Sequence, residues 1–157
     1  GDLGKLDPKG YLSITGRVKS QFKLENGKYV SPAPLEENVK LSPLVEQAAL
    51  DGRNMLRTFI IIHPNMDAMK QALSAAGKDA SGSDEELCSR EETRTWMLDE
   101  LKNNSMPEPT WKGYERPANI ILDHQEWTTD NDLLTPSMKV KLRNLLSRHE
   151  SAIEAFK

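Results

Sequence analysis

Phe59-Ile60-Ile61-Ile62 is the longest apolar run in this chain of 157 residues, and Pro64 follows it closely. An apolar run this short, closed by a turn signal, reads as a buried strand, here predicted over Leu56 to His63. It falls far short of the ~20 residues a membrane-spanning helix needs. A buried strand needs partners, and the neighbouring segments supply them. Val45 to Leu50 and Ala118 to Leu122 read as further strands. Met66, Met69, Leu73 and Ala76 form a helical stripe, better explained by core packing than by a cofactor box. Strands alternating with helices after residue 42 give an α+β or α/β sandwich. The class expected is α+β, a short N-terminal hairpin followed by a small mixed sheet packed with helices.

The remaining elements follow from local signals. Gly1 to Arg17 reads as strand, turn and strand around Asp7-Pro8-Lys9-Gly10. Phe22-Lys23-Leu24 and Tyr29-Val30 flank an Asn26-Gly27 turn as a second hairpin. A helix over about 34–41 puts Leu35 and Val39 on one face. Ser83-Asp84-Glu85-Glu86 has the form of a capping box. A helix over about 90–103 aligns Thr93, Met97 and Leu101, and residues 103–117 form a loop. Thr135-Pro136 has the signature of a helix start, with Thr135 as cap. The apolar face of that last helix would hold Met138, Leu142, Leu145, Ala152 and Phe156, with His149 on the same line. A lone histidine there is more often packed than a ligand.

Composition excludes several classes. Hydrophobic residues make up 37% and charged residues 29%, which suits a folded domain. A net charge of −3 gives no general nucleic-acid footprint. Cys88 is the single cysteine, so no internal disulfide forms, and three scattered histidines give no zinc pattern. No metal site is expected in this chain. No signal peptide is visible, and a cytoplasmic location is expected. Opening on Gly1-Asp2 without a methionine, the chain reads as a piece of a longer protein. Residues 79–100 carry eight acids against Arg90 and Arg94, best read as a solvated helical face.

Residues 16–32 are the opposite in charge. Arg17, Lys19, Lys23 and Lys28 face only Glu25. A basic segment that bends twice suits an anion such as a phosphate. Taken by itself it is better read as a solvated hairpin with lysines on its outer face.

Several motifs then fall in one order. Gly1-Asp2-Leu3-Gly4 precedes Asp7-Pro8-Lys9-Gly10-Tyr11-Leu12, then Gly16-Arg17-Val18-Lys19, then Phe22-Lys23-Leu24 with Gly27, Tyr29-Val30 and Pro32. Ser42-Pro43 and Val45-Glu46-Gln47 follow, and Trp127-Thr128-Thr129-Asp130-Asn131-Asp132-Leu133-Leu134-Thr135-Pro136-Ser137-Met138-Lys139 stands near the end. This order resembles the C-terminal part of adenylate-forming enzymes, specifically the long-chain fatty acyl-CoA synthetases. Residues 103–117 match least. Lys28 stands where that family usually carries an acid, and Lys19 where aspartate also occurs among relatives.

The resemblance implies a small lid over residues 19–157 and, in 1–18, the tail of a large AMP-binding domain. That N-terminal domain would be the lid's partner. The parent enzyme would use ATP, CoA and a fatty acid, with Mg2+ held mainly by the N-terminal domain, and peripheral membrane association is open to it. The carboxylate is first joined to AMP, then passed to the CoA thiol, and the lid turns between the steps. Carried over by position, Lys139 would be the adenylation lysine. Asp2 and Arg17 would bind ATP or AMP, and Lys19 would be the hinge. Lys23, Gly27 and Tyr29 would face CoA in the thioester step. The fragment alone would be inactive. Acyl carrier protein as acceptor, a stop at the acyl-adenylate, and a non-catalytic interaction module of the same fold are the alternatives.

Overall fold

The computed structural model describes residues 2–6 and 12–17 as backbone strands, and residues 21–106 and 111–156 in full. The turn expected at Asp7-Pro8-Lys9-Gly10 lies outside the described residues, as do Lys19 and residues 107–110. Strands β1 (Asp2–Leu6) and β2 (Leu12–Arg17) pair antiparallel, with a register shift between Leu3 and Gly4. Strands β3 (Phe22–Lys23) and β4 (Tyr29–Val30) form the second hairpin.

The central sheet has three strands in the order β5 (Val45–Asp51), β6 (Phe59–Pro64), β7 (Asn119–Leu122). β5 and β6 are antiparallel, whereas β6 and β7 are parallel. A parallel pair needs a long crossover. Here it carries α2 (Met66–Ala75), α3 (Asp84–Ser89) and α4 (Glu91–Ser105).

The apolar run explains the layering. Successive strand residues point to opposite faces, so Ile60 and Ile62 enter one core and Phe59 and Ile61 the other. The first core gathers Leu35 and Val39 of α1 (Pro32–Val39), Met69 and Leu73 of α2, Leu87 and Cys88 of α3, and Met97 and Leu101 of α4. Phe22, Leu24 and Val30 of the second hairpin join it. The second core gathers Trp127, Leu133, Leu134 and Leu145. Ile60, Ile61 and Ile62 are all fully buried, each contributing roughly 1.5–3 kcal/mol relative to exposure.

Side-chain caps set the starts of α2 and α3. Asn65 Oδ1 accepts the Ala68 N–H at 3.1 Å, and Ser83 Oγ accepts the Glu86 N–H at 3.2 Å. Helix α1 begins at Pro32, two residues before the expected start, because proline is tolerated where no intrahelical N–H is needed. Ser31 Oγ does not cap it and instead accepts from Gln21 Nε2 at 3.0 Å. Ala76, expected on the buried stripe, is exposed and ends α2.

The last helix departs from expectation. Thr135-Pro136 opens no helix. Residues 134–140 form a turn closed by a Leu134–Val140 bridge, and helix α5 starts at Leu142 (Leu142–Arg148). Met138 has φ +68, outside the helical region, and is 68% exposed rather than packed. A second break at His149 separates α5 from α6 (Glu150–Glu154). Among the described residues no helix is long and apolar enough to cross a membrane.

Candidate functional site

Lys139 sits on the 134–140 turn and is exposed. Its backbone is held from both sides. Its carbonyl accepts the Thr135 N–H at 2.8 Å, and its N–H donates to Thr135 Oγ1 at 3.1 Å. Thr135 is therefore a cap, but of a turn. Below it, the Lys141 N–H reaches the Leu133 carbonyl at 2.8 Å, and the Lys141 ammonium pairs with Asp132. Asn144 Nδ2 donates to the Asp132 carbonyl at 2.8 Å, tying the turn to α5. The turn is pinned at its base, and Lys139 has no ion pair among the described residues.

Lys139 also borders a cavity of about 490 Å³ together with Phe22, Glu36, Arg53, Met138 and Val140. Glu36 Oε2 accepts the Leu50 N–H at 2.8 Å. Burial pushes the Glu36 carboxyl up to about 7, against the opposing pull of that hydrogen bond and of Lys40. In the unfolded chain a glutamate titrates near pH 4.3. The folded protein thus binds the extra proton between about pH 4 and 7, and Glu36 costs stability as pH rises through that window. Glu36→Gln keeps an acceptor for Leu50 and removes this dependence. Denaturant midpoints at pH 5 and pH 8 should show the variant gaining on the parent at pH 8, and an unchanged pH slope would contradict the assignment.

The second hairpin carries the other predicted residues. Lys23 and Tyr29 are register partners, and both are exposed, while Phe22 and Val30 point into the core. Gly27 has φ +89, a backbone region L side chains disfavour, and its N–H closes the turn on the Leu24 carbonyl at 2.9 Å. Asn54 and Glu25 backbone N–H groups tie the hairpin to residues 23 and 55 at 2.9 Å each. In the first hairpin Asp2 and Arg17 are register partners, so their Cα atoms stand opposite each other at one end of the strand pair.

One group was not singled out by sequence reasoning. Asp123, 2% exposed, directly follows β7. Its carboxylate accepts from Arg148 Nε at 2.8 Å, Arg148 Nη2 at 3.1 Å, His149 Nε2 at 2.9 Å and Trp127 Nε1 at 3.3 Å. Burial pushes this carboxyl up, but the hydrogen bonds from His149, Arg148 and the Gln125 N–H together hold it below the usual carboxylate range. The cluster locks the C-terminal helices onto the sheet, and through Asn144 it supports the Lys139 turn. An aspartate after an apolar strand carries no local signal for partners 25 residues away.

Two other features hold none of the predicted site residues. A cavity of about 610 Å³ lies beside α5 and α6, bordered by Asp51, Arg53, Arg143 and Glu150. Cys88 is buried, which pushes its thiol up to about 12 and away from thiolate chemistry. Among the described residues no three His, Cys, Asp or Glu side chains group as metal ligands.

No protein-family model matches the chain. Curated sequences match it over nearly its whole length. Long-chain-fatty-acid–CoA ligase 1 of Cavia porcellus is 33% identical over 158 residues, covering 98% of this chain and 22% of that protein. The chain is a homologue of long-chain-fatty-acid–CoA ligases. Fatty acyl-CoA synthetase B of Dictyostelium discoideum is a further such relative, 32% identical over 98% of the chain and 23% of its own length. The chain thus spans less than a quarter of these ligases. Solved structures show the same fold inside adenylate-forming enzymes. The adenylation domain of a carboxylate reductase from Mycobacterium chelonae superposes with a TM-score of 0.75 at 22% identity, over 99% of this chain and 22% of that one. A fatty acyl CoA synthetase from Mycobacterium tuberculosis gives 0.53 at 17% identity, over 97% and 24%.

Proposed function

We propose that this chain is the C-terminal lid of an AMP-forming long-chain fatty acid–CoA ligase, joined to the tail of its nucleotide-binding domain. Residues 1–18 are that tail, and residues 19–157 the lid. The observation that carries the reading is Lys139, an exposed cation without an ion pair among the described residues, on a turn whose base is pinned by Asp132, Lys141 and Asn144. A lysine so presented can be delivered into a site on another domain without first breaking an ion pair. In the adenylation step it neutralises charge gathering on the α-phosphate and pyrophosphate as the fatty carboxylate attacks. Asp2 and Arg17, opposite each other in register, hold the nucleotide, the carboxylate accepting ribose hydroxyl protons and the guanidinium giving a fixed charge. Mg2+ accompanies ATP and belongs to the N-terminal domain in this reading.

Lys19 is the hinge at which the lid turns. In the second orientation the β3–β4 hairpin, with Lys23, Gly27 and Tyr29, faces the acyl-adenylate and CoA. The tight Gly27 turn supports this role, since a turn without a side chain allows close approach to a bound thiol.

The test is ATP–pyrophosphate exchange by the intact protein that carries this chain, without CoA, across fatty acids of increasing length. Exchange that depends on a long-chain acid is expected. No exchange with any acid would leave the chain as a non-catalytic module of this fold.

A further inference from the structure

Residues 103–117 carry the least of the family likeness, yet their described part folds against the second hairpin. Tyr114 is half-buried and packs on the first core. The Lys28 ammonium stands 5.2 Å from its ring centroid and the Lys112 ammonium 5.9 Å. Each is attracted to the ring quadrupole at such a distance, while two like charges on one ring repel each other. Lys23 lies against the turn of the same hairpin, its Cε 3.9 Å from where a Cβ on Gly27 would stand.

Ion pairing separates these lysines from several others on the surface. Lys40, Lys70, Lys78 and Lys141 each meet a carboxylate. Lys23, Lys28 and Lys112 meet none among the described residues. The acids of the same segments do not neutralise them. Glu115 turns back to accept the Lys112 backbone N–H at 2.8 Å, and Glu25 forms no ion pair among the described residues. In a chain of net charge −3, such an uncompensated corner is a site for a polyanion, which relieves the repulsion on binding.

We propose that Lys28 and Lys112, positioned over Tyr114, bind the phosphorylated nucleotide end of CoA. Lys23 adds to the same field. This rests on the reading of the hairpin as the thioester face and assigns the acceptor's contacts there. CoA fits the corner because it carries three phosphates on one nucleoside, whereas a carrier-protein phosphopantetheine presents one phosphodiester. Tyr114 is a positioning residue, and the lysines make the contacts.

Thioester formation from supplied acyl-adenylate tests this in the intact enzyme, with CoA, dephospho-CoA and pantetheine as acceptors. Lys112→Ala is expected to raise KM for CoA about tenfold, the value of one charge-assisted phosphate contact. kcat and KM for pantetheine, which has no nucleotide, should stay within about twofold. The CoA effect should shrink with added salt. Tyr114→Leu should reproduce part of the loss, and Tyr114→Phe, which keeps the ring, should not. Pyrophosphate exchange should be unchanged in each variant, which also shows that each one folds. An unchanged KM for CoA, or equal rises for CoA and pantetheine, would overturn the proposal. So would a loss confined to an acyl carrier protein acceptor. If the parent protein gives no exchange, the ligase reading fails first. Binding of adenosine 3′,5′-bisphosphate to the intact protein then decides the patch separately, and it must weaken in Lys112→Ala.

Discussion

Lys139→Ala in the intact enzyme is expected to slow acyl-adenylate formation by roughly 10²–10³-fold, the loss seen when one preorganised donor is removed from a developing oxyanion. The magnitude follows from how the lysine is held. Its turn is fixed by Thr135 on both sides and by the Leu134–Val140 bridge. The backbone that carries the cation is therefore preset, which lessens the reorganisation needed when charge develops. Lys139→Arg keeps the charge but changes its shape and reach, so it should recover only part of the rate. A loss below about fivefold in Lys139→Ala would remove Lys139 from the chemistry.

Asp123→Asn is expected to destabilise the fold by about 3 kcal/mol, the low end for breaking a buried ion pair, because Arg148 is 32% exposed and partly screened. The amide leaves Arg148 and His149 facing a neutral group in a site otherwise closed by Trp127. Thermal unfolding of the intact protein should register the loss on the order of 10 °C for a domain of this size. The acid limb of stability carries the same signature. The Asp123 carboxyl is held low in the folded state, so its stabilisation is complete above the unfolded value near pH 3.9 and fades as pH falls below it. Asp123→Asn should flatten that limb. A variant as stable as the parent, with the same acid limb, would contradict the anchoring role. Loosening α5 should also loosen the Lys139 turn through Asn144, so adenylation should fall more than thioester formation.

Much of this was legible where local and tertiary signals agree. Leu35 and Val39 on α1, Thr93, Met97 and Leu101 on α4, and the strand around Phe59–Ile62 are buried as their spacing predicts. The helices are periodic patterns whose inner side meets a core, and the strand is a continuous apolar run buried on both faces. The Asn26-Gly27 hairpin is legible because only glycine readily takes the φ its turn requires. The last helix misled because Thr135-Pro136 satisfies the chemistry of a cap without the backbone that must follow. Thr135 Oγ1 takes the N–H of residue 139, and Met138 at positive φ turns the chain away from a helix. Lys139, the proposed adenylation lysine, lies at this conflict between local propensity and observed backbone, a common mark of a working site. Asp123 and the Tyr114 corner were illegible because each depends on residues that only the fold brings together, from 25 to 86 positions apart in the chain.

The most direct measurement of the central claim is the rate of each half-reaction in Lys139→Ala, fatty-acid adenylation on one hand and thioester formation from supplied acyl-adenylate on the other. A lid that presents Lys139 in one orientation and the β3–β4 hairpin in the next predicts adenylation down by at least about a hundredfold with thioester formation within a few fold of the parent. Equal losses in both half-reactions would contradict it.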